Sequence, residues 1–154
     1  APHAARPAAA AACRGRTVSE GGLPLDTRPI HLGLGATAVP QPEFPRNEAA
    51  MQWYMDYASR HEADGLDGRL VASYTFSESW PMWEMHPNGA EVLVCISGAI
   101  TLHQETADGE IKTVVLAAGQ YAINLPGTWH TADVESGATV LFITAGAGTQ
   151  HRPR

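Results

Sequence analysis

The chain has 154 residues, 44% hydrophobic and 17% charged, with a formal net charge of -6. That length suits one domain with a real core. The acidic balance argues against a nucleic-acid or anionic-membrane partner, and no apolar run approaches the roughly 20 residues of a membrane span.

Residues 1–20 are rich in Ala, Arg and Pro, and read as a disordered extension or a leader. Two cysteines, Cys13 and Cys95, make no disulfide framework. They fit a reducing compartment, and a cytoplasmic location is the expectation. Cys95 reads as a small buried hydrophobe.

Residues 21–68 form an N-terminal section. Pro24, Pro29, Pro40, Pro42 and Pro45 punctuate it, with a candidate edge strand at Ile30–Leu34 between them. His31 has no partner nearby in sequence and reads as a structural or surface histidine. Asn47 is a plausible N-cap, with Glu48 in the first turn. Met51, Tyr54, Met55 and Ala58 then recur at helical spacing, which predicts an amphipathic helix over 47–62. The Asp64-Gly65-Leu66-Asp67-Gly68 cluster ends it.

From Arg69 the period changes to two. Strands are predicted at Leu70–Phe76, Trp80–His86, Ala90–Ile96, Ala99–Glu105, Ile111–Leu116, Gln120–Leu125, Trp129–Val134 and Thr139–Thr144. Turn residues separate them, among them Pro87-Asn88-Gly89, Ser97-Gly98 and Pro126-Gly127. Short strands at regular spacing with one helix before them define an all-β sandwich or barrel over residues 69–146. Residues 147–154 remain as a tail.

Two stretches carry chemistry. Glu84 and His86 lie two apart on one strand and so point to one face. A turn follows, and Glu91 opens the next strand, where it can face back toward His86. His130 follows a second turn and closes the set if the strands bring it alongside. Such mixed N/O donors suit Fe(II), Mn(II), Zn(II), Ni(II) or Co(II) rather than a thiolate site. Glu84 reads either as a fourth ligand or as a general base. Trp83 and Trp129 point away from this face by parity. Met82 shares it, and His103, on a later strand, is a weaker candidate.

These two stretches resemble the paired motifs of the cupin superfamily. The first has Glu84-x-His86, four residues, Glu91, six residues and Gly98; the second runs from Gly119 to Pro126-Gly127 and His130. Glu84 stands where the superfamily places a histidine, and Val134 where its second motif ends in Asn. The resemblance spans about residues 70–145. It implies a small cupin-type jelly-roll β-barrel with one N-terminal α-helix. One divalent metal ion (Fe, Mn, Zn, Ni or Co) would sit on Glu84, His86, Glu91 and His130, and Glu84 is also the candidate catalytic base. It further implies a small polar metabolite as ligand or substrate and a homodimer. The chemistry would be oxygenase-type with Fe(II) and isomerase- or lyase-type otherwise; the alternative is a non-catalytic small-ligand-binding module.

Overall fold

The computed structural model describes residues 21–154. The expectation for residues 1–20 lies outside the described residues, as does Cys13. The first strands are β1 (Ile30–Gly33) and β2 (Thr37–Pro40), an antiparallel hairpin. Next comes α1 (Ala50–Arg60), then β3 (Arg69–Phe76), β4 (Met82–Met85), β5 (Glu91–Glu105) and β6 (Ile111–Ala117). The chain finishes with β7 (Tyr121–Asn124), β8 (His130–Asp133), β9 (Ala138–Thr144) and β10 (Gln150–Pro153). This is the all-β architecture with one α-helix that the period-two pattern predicts. Neighbouring strands run β10-β4-β8-β5-β9-β3-β1-β2, with β6 and β7 also paired to β5. The two ends of this path do not pair, so the expected barrel is an open, folded-over sheet.

One difference from the expected strands explains the layering. Ala90–Ile96 and Ala99–Glu105 are not separate strands joined by a Ser97-Gly98 turn; they form the single 15-residue strand β5. Its first half pairs with β7 and β9, and its second half with β6 and β8. The register slips between Cys95 and Ser97, and Gly98 takes φ 71°. That is a β-bulge, which bends a strand and lets it pass from one sheet to the other. A Cβ on Gly98 would collide with the Gly137 carbonyl, so close backbone approach and positive φ both require glycine here.

Between the layers, alternate residues point inward. Leu93, Cys95, Ile100, Leu102, Ala132, Val140 and Phe142 are all buried, with Trp80 and Leu116 beside them. Burying one such leucine is worth roughly 1.5–3 kcal/mol. Cys95 is fully buried, and burial pushes its thiol above the ordinary value.

The helix corrects a second expectation. It is shorter than 47–62, and Asn47 precedes it as a turn, its Oδ1 accepting from the Ala49 amide at 2.9 Å. Met51 and Met55 of the predicted stripe are exposed, while Tyr54 packs its ring against Phe44 and meets the Tyr74 hydroxyl. Trp53 is the buried helix residue, with Tyr57 one turn on. The aromatic rings win that face because they meet other rings: Phe44 lies 5.1 Å from Trp53, edge to face. His31 is buried and well partnered. Its Nδ1 meets the Tyr57 hydroxyl at 2.7 Å, its Nε2 meets Asp64 at 2.6 Å, and His61 stacks on it at 3.6 Å. It is structural, as one of the two sequence readings had it, with partners brought from 26 and 33 residues away.

Finally, residues 147–154 are more than a tail. β10 lies antiparallel on β4, with His151 opposite Glu84.

Candidate metal centre

The apolar core stops at one end of the two layers, and polar side chains take over its inward positions. Glu84 on β4 stands opposite His130 on β8, and His130 opposite Gln104 on β5. Residues opposite one another on antiparallel strands share a face. From the other layer, Glu91 stands between Asn124 on β7 and Thr144 on β9. His86, just beyond β4, reaches between the two sets.

Glu91 is the centre. His86 Nε2 lies 3.2 Å from its Oε1, and His130 Nε2 lies 3.1 Å from its Oε2. Thr144 donates its hydroxyl to Oε1 at 2.7 Å, and the Asn124 amide donates to Oε2 at 3.0 Å. Gln104 in turn donates to Asn124 Oδ1 at 2.7 Å, fixing which way that amide faces. Burial raises the Glu91 carboxyl pKa, but the His130 and His86 rings, when they carry a proton on the side facing Glu91, outweigh it and hold the group below the usual carboxylate range. Burial likewise lowers the His86 pKa, while Glu91 and Glu84 together carry it above the ordinary value.

The tautomers follow from the far side of each ring. His130 Nδ1 lies 3.0 Å from the Thr128 carbonyl, which can only accept, so Nδ1 carries the proton. His86 Nδ1 lies 2.7 Å from Thr149 Oγ1, and that hydroxyl already donates to the Gly146 carbonyl at 2.8 Å. His86 Nδ1–H therefore donates as well. With a single proton on each ring, both Nε2 atoms are left with lone pairs. Both are buried, and neither makes a hydrogen bond despite the nearby Glu91 oxygens. Two lone pairs aimed at a carboxylate repel unless a cation, proton or metal, lies among them.

Glu84, His86 and His130 each offer an atom within 4.8 Å of the others, and Glu84 Oε1 is 3.9 Å from His86 Nε2. The four sequence candidates are thus brought together. Glu91 is fully enclosed, whereas the Glu84 side chain is 31% exposed, at the mouth. His103 belongs elsewhere: its Nε2 meets Asp133 at 2.6 Å and its Nδ1 meets Thr113. Met82 is exposed. Trp83 and Trp129 do face away, and hold the Arg152 guanidinium between them at 5.2 and 4.5 Å. Sequence reading missed Asn124, Thr144, Thr149 and His151, which come from strands and loops far along the chain. Pairing register places Asn124, Thr144 and His151, and Thr149 comes from the loop before β10.

No family model and no curated protein sequence matches the chain. Solved structures similar to it in fold include oxalate oxidase, at 14% identity and TM-score 0.46 over 53% of this chain and 44% of that one. Hydroquinone 1,2-dioxygenase from Sphingomonas sp. TTNP3, with 4-hydroxybenzoate bound, is similar at 16% identity and TM-score 0.44 over 49% and 59%. A cupin-2 domain containing protein from Shewanella frigidimarina is similar at 15% identity and TM-score 0.42 over 56% and 71%. The matched part is less than half of the oxalate oxidase chain. The described residues form an antiparallel all-β fold with one α-helix, consistent with the jelly roll that the two motifs imply. No helix among the described residues is long and apolar enough to cross a membrane.

Proposed function

We propose that this chain is a metal-binding cupin-type protein that holds one divalent ion between His86, His130, Glu91 and Glu84 and binds a small polar metabolite beside it. One observation carries the reading: two buried imidazole nitrogens, each with its proton committed to the opposite side of the ring, converge on a carboxylate without making a hydrogen bond. The donor set fits the ion, since neutral imidazoles and carboxylates suit Fe(II), Mn(II), Zn(II), Ni(II) or Co(II). When bound, such an ion polarises an oxygenated ligand, supporting oxygenase-type chemistry if it is Fe(II) and isomerase- or lyase-type chemistry otherwise.

The chain's own residues divide the remaining work. Thr149 and the Thr128 carbonyl hold the imidazole protons away from the centre. Thr144 and Asn124 keep the Glu91 carboxylate from turning. Glu84, at the mouth, is the carboxylate that an entering ligand meets, and so the one able to take or return its proton.

The protein also pairs with a second copy in this reading. The outward face of β3, β9, β5 and β7 presents Val71, Ile143, Val92 and Ile123 in one register row, and Leu141, Val94 and Tyr121 in the next. Tyr121 and Ile123 are exposed. An uncharged apolar patch on an acidic molecule is the place where two copies meet without repulsion.

Purification without chelator followed by elemental analysis tests the metal. The parent should carry close to one ion per chain, and His86→Ala and His130→Ala should carry far less while still unfolding cooperatively. Equal metal in all three proteins, or none in the parent, would overturn the reading.

A further inference from the structure

The last strand brings a fifth side chain to the site. β10 pairs with β4 so that His151 faces Glu84 and Arg152 faces Trp83. Glu84 faces His130 on its other side. His151, Glu84 and His130 therefore form one row across three strands, on the face that carries the centre. His151 Nε2 lies 3.3 Å from Glu84 Oε1, nearer than the 3.9 Å that separates His86 Nε2 from the same oxygen. Glu84 is its one ionic partner among the described residues.

The strand is fastened without His151. Arg152 lies over the Trp83 and Trp129 rings and pairs with Glu105. Arg154 pairs with Asp133 and donates to the Trp80 and Ala132 carbonyls. These contacts explain why β10 stays on β4. They leave the His151 side chain, half exposed, with no fold-holding role of its own.

We infer that His151 is a positioning residue for Glu84. It holds the carboxylate at the mouth of the site, with Oε1 turned toward His86, before any ion or ligand arrives. A glutamate that is already oriented loses less side-chain freedom on binding. Outer partners of this kind commonly tune metal affinity about 10- to 100-fold. The inference rests on the metal-binding reading of the same centre.

Co(II) titrated into the full chain at neutral pH, followed by visible absorption, tests it. His151→Ala is expected to weaken Co(II) about tenfold or more and to alter the absorption band, with the melting temperature unchanged. On a Glu84→Gln background, His151→Ala should cost nothing further, because the two residues act as a unit. A His151→Ala protein that binds Co(II) as the parent does, or an equal loss on the Glu84→Gln background, overturns the inference alone. A parent that binds no Co(II), or whose affinity survives His86→Ala, overturns the metal reading and the inference with it.

Discussion

A neutral imidazole has one proton, and the group that holds it decides what the other nitrogen can do. Thr149 makes that decision for His86, through the 2.7 Å contact at Nδ1. Thr149→Val keeps the shape and removes the acceptor, leaving the ring free to turn or change tautomer. Metal affinity should fall about 10- to 100-fold, the range for loss of an outer hydrogen bond, with little change in stability. Calorimetric titration of Zn(II) would measure it, and unchanged affinity would show that the tautomer is set some other way. At this scale the sequence was partly legible. Glu84, His86 and Glu91 lie within one short stretch, and a strand's period of two places the first two on one face. The partners of Glu91 were not legible, because Asn124 and Thr144 are 33 and 53 residues away and only register unites them.

Elements were legible where one pattern dominated, and misread where two competed. The strands from β3 to β9 follow from alternation and turn residues. Gly98 carried a turn signal, but glycine serves a bulge as readily as a hairpin, and here it bends β5 from one layer to the other. Gly98→Ala would place a methyl against the Gly137 carbonyl at positive φ. It should cost at least about 1–2 kcal/mol for the backbone conformation alone, visible as a lower denaturation midpoint; an unchanged midpoint would mean the bulge can relax. In α1 the methionine stripe had the right spacing, yet the aromatic set at Trp53 and Tyr57 had partners and took the inward side.

The His31 knot that ties β1 to this helix makes a pH signature. The hydrogen bond with His31, and then the Leu34 amide, hold the Asp64 carboxyl below its ordinary value of 3.8. A carboxyl depressed by folding stabilises the fold fully above the ordinary value, and that stabilisation fades as pH falls through the folded value. Asp64→Asn should therefore lower the melting temperature at pH 7. Its deficit relative to the parent should narrow below about pH 3.8. A deficit that stays constant with pH would assign the effect to packing instead.

At the scale of the molecule, the fold and the site separate cleanly. Stability comes from the apolar layer between the sheets, so Leu93→Ala, at a fully buried position, should cost about 2–5 kcal/mol. Metal removal should lower the melting temperature without abolishing cooperative unfolding. In the proposed dimer the apolar outer face is the interface: Val94→Lys should shift sedimentation from dimer to monomer, and a parent that sediments as a monomer at all concentrations would exclude pairing through that face. The bend in β5 brings the two polar ends together, placing Glu91 from one layer against His130 from the other. The most direct test of that arrangement is X-ray absorption at the zinc edge of the loaded protein. Two imidazole nitrogens at about 2.0–2.1 Å, with oxygen donors completing the shell and one imidazole lost in each of His86→Ala and His130→Ala, is the expected result. A zinc shell without imidazole, or one that both variants leave unchanged, would contradict it.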